Sequence, residues 1–206
     1  GVPGAYSMKQ SASIFTSLYY FNGPKTSGSL RDIRLIRSGE EIQSIDYYDF
    51  LLFGKNTNDK RLVRDDVIFI PPRGKTVTVK GEIKKPGIYE LKPNEDLNDL
   101  IEISGNILKT TYSKRIQIER ILPPEDRLIE NIDRVLIDLS LEGISNSKKP
   151  FQLVDGDIIS FFKISNIIGN AITISGAVKR PGKYSFNPKM RVSDLLKKAD
   201  GILGTT

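Results

Sequence analysis

The sequence contains no cysteine and no histidine among its 206 residues. Neither a Ser-His nor a Cys-His nucleophile pair can therefore form, and imidazole and thiolate metal ligands are excluded. No apolar run approaches the roughly 18 residues that suggest a membrane-spanning helix, and the densest apolar patch, residues 158–162, is short. We expect a non-enzymatic chain with no catalytic residues, no cofactor or metal site, and no membrane span.

The net charge of +6 is distributed unevenly along the chain. Residues 176–206 hold seven Lys or Arg against two Asp or Glu, whereas acidic and basic residues alternate along most of the remainder. A nucleic-acid binder usually gathers its basic residues in one stripe with aromatic side chains between them. Neither that stripe nor a named nucleic-acid motif is present, so no nucleic-acid partner is expected.

An internal repeat organises the sequence. Residues 77–89 (VTVKGEIKKPGIY) recur as residues 172–184 (ITISGAVKRPGKY), and a shorter copy stands at residues 2–6 (VPGAY). The copies are 83 and then 95 residues apart when they are counted from Pro3, Pro86 and Pro181. The equivalence also covers residues 31–37 against 114–120, 48–54 against 137–143, and 64–68 against 155–159. Such self-similarity indicates tandem copies of one structural unit.

The start of each copy predicts two strands joined by a turn. Apolar residues alternate in 77–79 and in 172–174, which is typical of a half-buried strand. A Pro-Gly pair follows, and this pair suits a type II turn, in which glycine takes a positive φ. The predicted structural turn residues are Pro3, Gly4, Pro86, Gly87, Pro181 and Gly182.

A short amphipathic helix is predicted after the second strand. Its apolar face holds Leu97, Leu100, Ile101 and Ser104, matched by Val192, Leu195, Leu196 and Ala199. A glycine or asparagine then stands twenty residues after each proline, at Gly23, Asn106 and Gly201, and these residue types close helices in a left-handed conformation. One unit is therefore predicted as strand, turn, strand, helix, strand, loop, strand. This order predicts an α+β class with tandem β-grasp domains, each a small mixed sheet packed on one helix.

The repeat also predicts the domain boundaries. We expect residues 1–75 to form a first repeat without its first strand, residues 76–171 a complete second repeat, and residues 172–206 the N-terminal half of a third. The predicted core of the second repeat is Val79, Ile83, Leu97, Leu100, Ile101, Ile116 and Ile118. The half-repeat is too small to bury enough apolar surface alone. We expect it to pack against the sheet of another repeat, in the same chain or in another copy.

These residues carry a family resemblance. The segment 79–89, the short helix and the following Ser-Gly-Asn or Ala-Asp-Gly resemble the soluble-ligand-binding β-grasp (SLBB) domain. Tandem copies with Gly-Asp-Ile-Ile-Ser at residues 156–160 between them resemble the periplasmic part of outer-membrane polysaccharide export proteins. Nothing in the sequence resembles the N-terminal export domain of those proteins, their lipid-attachment cysteine or their C-terminal pore helix.

The resemblance implies a function and partners. It implies a periplasmic, outer-membrane-associated location in a bacterial cell envelope, and a role in a ring-shaped conduit for capsular or exopolysaccharide. The implied partners are the polysaccharide, further copies of the protein in a homo-oligomeric ring, and an inner-membrane polysaccharide export protein. An alternative within the superfamily is a ligand-docking, cofactor-docking or protein-interaction module unrelated to export. The cysteine clusters or dinucleotide fingerprint of the cofactor-docking contexts are missing here.

Two groups of residues are candidates for contact with a glycan or a neighbouring subunit. The cationic candidates are Lys84, Lys85, Lys179 and Arg180. The aromatic candidates are Tyr89 and Tyr184, with Tyr6 in the short copy. The tyrosines fit either a sugar-stacking platform or a strand residue packed on the helix. The cations fit either acidic-ligand contact or simple solvation.

Paired carboxylates are the one feature that suggests hydrolysis of an envelope glycan. Asp65 and Asp66 in the first copy, and Asp155 and Asp157 in the second, are candidates for a general acid and base. Their position directly before an apolar strand favours side-chain hydrogen bonds that form a turn. We therefore expect no catalytic turnover from them.

Overall fold

The computed structural model describes residues 2–9, 11–55, 59–146 and 149–204. The chain divides into two compact units, Gly1–Ile164 and Ser165–Thr206. Both combine short helices with small sheets, so the predicted α+β class is confirmed. Spanning a bilayer takes about 20 helical residues, and no helix in the described part of the chain has that length and apolar character.

The first part of the first unit is a three-stranded antiparallel sheet with two helices. Its elements are α1 (Ile14–Tyr20), β1 (Ile33–Arg37), β2 (Glu40–Ile45), α2 (Tyr47–Phe53) and β3 (Val67–Phe69). The strand order is β2-β1-β3. Ile33 and Leu35 of β1 are fully buried and belong to one apolar cluster with Ile14 and Leu18 of α1. This sheet therefore has its own small core.

The second part of the first unit is a five-stranded mixed sheet. Its elements are β4 (Thr76–Gly81), β5 (Gly87–Glu90), α3 (Leu97–Ile103), β6 (Thr111–Ile121), α4 (Pro124–Glu130), β7 (Arg134–Leu139), α5 (Leu141–Asn146) and β8 (Ile158–Lys163). The strand order is β5-β4-β8-β6-β7. Strands β4 and β8 are parallel, and every other pair in this sheet is antiparallel.

Helix α3 packs on this sheet, as the sequence predicts. Six of the seven predicted core residues are buried, and Ile101 is half-buried at the edge of the same cluster. The Asp96 side chain accepts hydrogen bonds from the N–H groups of Asn98 and Asp99 and so begins the helix. Gly105 and Asn106 follow α3 with φ of 82° and 70°, which confirms the predicted left-handed end. Full burial of each large apolar side chain contributes about 1.5–3 kcal/mol.

The second unit consists of β9 (Ala171–Ile174), β10 (Gly182–Ser185) and α6 (Val192–Lys198). The two strands pair in antiparallel fashion. Leu195 and Ala199 on the predicted apolar helix face are buried, but Val192 on the same predicted face is 76% exposed. Val192 is the first residue of α6.

Comparison of the two sheets corrects the order of elements within a repeat. The first repeat has the order β1, β2, α2 and β3. The equivalent elements of the second repeat are β6, β7, α5 and β8 in the same order, with α4 inserted between β6 and β7. The predicted loop before the last strand is thus a strand and a helix. The match of residues 48–54 to 137–143 is wrong, because α2 covers the former whereas β7 includes residues 137–139. The boundaries at residues 75 and 171 stay predictions.

The Pro-Gly pairs are not type II turns. Gly4 and Gly87 do not have a left-handed φ, and Gly182 has a φ of 155°, far from the 80° of that turn. Gly87 is instead the first residue of β5 and pairs with Val79 of β4, which requires an extended backbone. The left-handed residue of this connection is Gly81, at the end of β4.

Candidate functional site

The tyrosine of each repeat fixes the backbone that precedes it. The Tyr89 hydroxyl donates a hydrogen bond to the Lys85 carbonyl at 2.6 Å, and the Tyr184 hydroxyl donates to the Arg180 carbonyl at 2.6 Å. The Tyr6 hydroxyl donates to the Val2 carbonyl in the same way. In all three copies the acceptor directly precedes the proline. Tyr89 is 8% exposed, which leaves it no open face for stacking on a sugar ring.

Lys84 and Lys85 are exposed side chains on this fixed backbone. Their N–H groups donate to the carbonyls of Asn106 and Ser104 at 3.1 and 3.0 Å, which ties the segment to the end of α3. Within the described ranges, no carboxylate forms an ion pair with either lysine. We call Lys84 and Lys85 the lysine pair. Two positive charges therefore stand side by side on a backbone that cannot easily move.

The third repeat presents its cations differently. Arg180 forms an ion pair with Asp200 at 2.6 Å, and both side chains are more than half exposed. Lys179 is exposed, and no carboxylate in the described part of the chain pairs with it. Gly105 occupies the position of Asp200 in the second repeat, so Lys85 has no equivalent partner. Among the described residues, both cations of the second repeat are thus without a carboxylate partner, whereas Arg180 of the third repeat has one.

The candidate carboxylate pairs are not arranged for catalysis. Asp157 is fully buried and accepts two hydrogen bonds from Arg120, at 2.9 and 2.7 Å. Asp66 accepts two from Arg37, at 2.8 and 2.9 Å. Each aspartate also accepts the N–H of the residue three positions earlier in the chain. These carboxylates therefore close the turn before the last strand of each repeat.

The protonation of Asp66 follows from this geometry. Hydrogen bonding to Arg37 is the main cause that lowers the pKa of Asp66, although partial burial opposes it. Asp66 is thus ionised near neutral pH and holds no proton to give. In the second repeat the Asp155 side chain is also engaged, because it accepts the Thr76 N–H at 2.7 Å. A general acid needs a proton, which Asp66 does not carry.

A buried ionic cluster joins the two sheets of the first unit. Arg31, just before β1, donates two hydrogen bonds to Asp46, each at 2.9 Å, and two to Glu95, at 3.0 and 2.6 Å. It also donates to the Glu90 carbonyl at 2.9 Å and lies over the Tyr48 ring. We call this arrangement the Arg31 joint. Arg31 is 9% exposed, so it works as an internal link between the sheets.

A third carboxylate, that of Glu90, lies beside the joint. Glu90 is 3% exposed and accepts hydrogen bonds from Ser29, from the Leu30 N–H and from the Gly74 N–H at 2.7 to 2.9 Å. The Glu90 N–H in turn donates to the Tyr48 hydroxyl. Burial is the main cause that raises the pKa of Tyr48 above its ordinary value. Both carboxylate oxygens of Glu90 are therefore satisfied by the neighbouring sheet.

The positive charge of Arg31 is balanced by the carboxylates of Asp46 and Glu95. Burial alone would lower the pKa of Arg31, but hydrogen bonds and charges of Glu95 and Asp46 outweigh it and raise the pKa. Lys92 adds a further positive charge at 2.6 Å from Asp46. The joint lines a shallow cleft with Phe53, Asp99 and Glu102. No three acidic residues within the described ranges are arranged to hold a metal ion.

The sequence did not predict the Arg31 joint. Its members are up to 64 residues apart in the chain, and their charges alternate like those of a solvated surface. The pairs Arg37–Asp66 and Arg120–Asp157 could be found from the sequence repeat. Both arginines occupy one position of the repeat, and both aspartates occupy another. The joint links the two repeats within the first compact unit, whereas the lysine pair is exposed on the second repeat.

Comparison with known families agrees with this architecture. The SLBB domain model matches residues 76–131 and 171–202, which cover β4 to α4 and β9 to the residues after α6. No curated protein sequence matches the chain. Both matched segments begin with the strand pair that contains the Pro-Gly-x-Tyr element. Residues 76–131 and 171–202 are therefore SLBB-domain segments of this chain.

Proposed function

We propose that this chain is a non-catalytic periplasmic module of a bacterial polysaccharide export protein. In this role it contributes to the wall of an envelope conduit for capsular or exopolysaccharide and contacts the passing glycan. The SLBB family is a family of ligand-binding domains, which supports a binding role in general. The tandem arrangement, together with the resemblance to the periplasmic part of export proteins, supports the export role.

The lysine pair is the observation that carries the glycan contact. Capsular and extracellular polysaccharides commonly carry carboxylates, and an exposed ammonium attracts a carboxylate over about 10 Å at 0.1 M salt. Lys84 and Lys85 have no ion-pair partner among the described residues, and Tyr89 with the end of α3 holds their backbone in place. Their charges are therefore available to a ligand without loss of an internal contact.

The absence of turnover is supported by the state of the carboxylates. Retaining glycosidases place two carboxyl groups about 5–5.5 Å apart and inverting enzymes about 6.5–9.5 Å apart, with one group protonated. Three of the four candidate carboxylates, Asp66, Asp155 and Asp157, accept hydrogen bonds from arginine or backbone N–H groups instead. Asp65 is 91% exposed and lies 3.9 Å from Arg64. The carboxylates Asp46 and Glu95 beside the cleft are committed to Arg31 in the same way.

The Arg31 joint supports the role of a wall element. A conduit must hold its lining in a fixed position while polymer moves past it. Two domains linked only by a flexible segment would not do this, since relative domain motion is the default unless the interface is large or strongly bonded. The joint places three hydrogen bonds from one buried arginine across the boundary between the sheets, one to the Glu90 carbonyl and two to Glu95. Asp46, on the same side of the boundary as Arg31, accepts the other two.

The experiment measures binding of polygalacturonate, an acidic polysaccharide, and of dextran, a neutral one, to the 206-residue chain by biolayer interferometry. We expect binding to polygalacturonate that weakens with added salt and none to dextran. The K84E/K85E variant should bind polygalacturonate at least about tenfold more weakly, because two attractive contacts become repulsive.

A matched control separates local contact from net charge. K25E/K60E changes the net charge by the same amount at two exposed lysines of the first repeat. It should retain most of the affinity. Equal loss in both double variants would mean that binding follows overall charge, and equal affinity of wild type and K84E/K85E would contradict the glycan contact. Release of reducing ends from polygalacturonate by the purified chain would contradict the absence of turnover.

A further inference from the structure

The first two repeats contain the same bulge, near the start of the strand that pairs with the last strand of each repeat. Two residue pairs of the ladder bracket it, and between them five residues on one side stand against two on the other. The bracketing pairs are Gly28–Pro72 and Arg34–Phe69 in the first repeat, and Thr111–Lys163 and Gln117–Ser160 in the second. We call residues 29–32 the first bulge and residues 112–115 the second bulge. Their residues correspond at a constant spacing of 83.

The first bulge binds a carboxylate. The Ser29 hydroxyl and the Leu30 N–H donate hydrogen bonds to the two oxygens of Glu90, at 2.7 and 2.9 Å. The Ser29 oxygen also accepts the N–H groups of Arg31 and Asp32, at 3.0 and 3.1 Å, which holds the bulge in shape. The first bulge is therefore a carboxylate site, and a side chain of the second repeat fills it.

The second bulge has the same place in the ladder but no acidic counterpart of Glu90. The residue that corresponds to Glu90 in the next copy is Ser185, which carries no charge. All four side chains of residues 112–115 are exposed. Lys114, which corresponds to Arg31, forms no ion pair with any carboxylate that the structure describes. The second bulge therefore presents its cation to solvent.

Two further lysines stand beside the second bulge. Lys109 precedes it in the chain, and Lys163 stands opposite Thr111 at its edge. Both lysines are exposed, and neither forms an ion pair within the described ranges. Together with Lys114 they form a group of three ammonium groups that the described part of the fold does not neutralise.

The nearby carboxylates are already engaged. Asp138 pairs with Arg115 at 3.1 Å, and a Glu82 oxygen accepts a hydrogen bond from the Thr110 hydroxyl at 2.5 Å. Neither carboxylate pairs with Lys114. The local positive charge is therefore available to a ligand from outside the second repeat.

The second bulge and the lysine pair lie at the same end of the five-stranded sheet. Ile83, directly before the lysine pair, forms an isolated bridge with Ile107, and the segment 107–110 leads from that bridge to Thr111. A polymer that contacts one set of cations can therefore contact the other. Two linked contacts raise the overall affinity above that of either one.

We infer that the second bulge binds a carboxylate of an acidic polysaccharide, as the first bulge binds its carboxylate. The Ser113 N–H corresponds to the Leu30 N–H and donates to the carboxylate of the ligand, and Lys114 supplies the positive charge. Tyr112 corresponds to Ser29 and is 40% exposed, which offers a ring on which a sugar can pack. The inference rests on the proposed function and adds a second contact for the same polymer.

The first test follows the amide signals of the isotope-labelled 206-residue chain by NMR during addition of sodium galacturonate. Galactose is the neutral probe, and sodium chloride controls for ionic strength. We expect a saturable shift of the Ser113 signal with galacturonate alone, whereas the Leu30 signal stays in place because Glu90 occupies the first bulge. An unmoved Ser113 signal, or an equal shift with galactose or sodium chloride, overturns the inference and leaves the lysine pair to its own test.

The second test measures binding of polygalacturonate to the K114E/K163E variant by biolayer interferometry. We expect binding at least about fivefold weaker than that of wild type, because two attractive contacts become repulsive. The K25E/K60E variant changes the net charge by the same amount and should retain most of the affinity. If K114E/K163E binds as tightly as K25E/K60E while K84E/K85E binds weakly, the glycan contact is confined to the lysine pair and the inference is wrong.

The third test separates a glycan from an acidic protein segment as the ligand, with polyglutamate as the second probe. Tyr112→Ala removes the exposed ring and should weaken polygalacturonate binding at least about threefold, while polyglutamate binding stays unchanged. An equal loss for both polymers would show that the second bulge receives acidic polymers without recognising a sugar, which overturns the assignment of the glycan. Failure of the wild-type chain to bind polygalacturonate would contradict the proposed function, and the Ser113 signal would still decide whether the second bulge binds a carboxylate.

Discussion

Replacing Arg31 by methionine removes the charge at the centre of the Arg31 joint and keeps an unbranched side chain of similar length. Asp46 and Glu95 then lose their main partner while their side chains remain only 9% and 15% exposed. Breaking a buried ion pair by removal of one partner costs about 3–5 kcal/mol. Lys92 remains beside Asp46, and Glu95 still accepts the Lys92 N–H at 2.9 Å. We therefore expect a loss near the lower end, about 3 kcal/mol.

The assay is urea unfolding of the first unit in the full chain, followed by circular dichroism. Arg34→Met is the matched control, because Arg34 lies on β1 nearby but pairs with Asp32 at the surface. It should have a much smaller effect than Arg31→Met, since exposed ion pairs contribute little. The triple variant R31M/D46N/E95Q should be more stable than R31M alone, because it leaves no unpaired buried charge.

The reasoning would be refuted by a loss below about 1 kcal/mol for Arg31→Met. It would also be refuted if D46N and E95Q lowered the free energy of unfolding in the R31M background as much as they do in the wild type, because the three sites would then be independent. In the first case the two sheets would be held together by apolar contacts alone. In the second, Asp46 and Glu95 would stabilise the fold without Arg31.

Three further changes test other parts of the structure. Gly81→Ala should destabilise the chain by about 3 kcal/mol or more in urea unfolding, because the added Cβ meets the backbone of β8. Gly39→Ala is the control and should destabilise it less, since Gly39 has a similar φ of 84° but open surroundings. Tyr89→Phe should cost about 1 kcal/mol through loss of one hydroxyl hydrogen bond, measured as a lower midpoint of thermal unfolding. Arg37→Met should lower the free energy of unfolding at neutral pH. The difference in free energy from wild type should shrink as the pH falls below 3.8, the ordinary pKa of an aspartate, because the Arg37–Asp66 pair stabilises the fold only while Asp66 is ionised. A difference that stays constant down to pH 2 would show that the ionised carboxylate contributes nothing.

Local patterns predicted much of the fold. The burial of Leu97 and Leu100 and the left-handed Asn106 follow from residue spacing over one helix, because a regular period fixes which side chains share a face. β2 escaped prediction because its sequence begins with Glu40 and Glu41 and has few buried positions. An edge strand needs few apolar residues, so its pattern resembles that of a loop.

The joint could not be predicted from the repeat, because it is not repeated. The positions equivalent to Arg31, Glu90 and Glu95 in the next copy are Lys114, Ser185 and Met190. A periodic comparison finds what each unit needs for its own fold, such as the hydrogen-bonding tyrosine. Contacts between units are specific to one boundary, and they become visible only when the sheets are placed in three dimensions.

Deletion of the encoding gene from its own host tests the export proposal most directly, with polysaccharide measured separately inside the cell and at its surface. The proposal predicts less surface polysaccharide, retention inside the cell envelope, and recovery on re-expression of the wild-type gene but reduced recovery with the K84E/K85E variant. The K25E/K60E control should restore export. Unchanged surface polysaccharide in the deletion strain would contradict the proposed function.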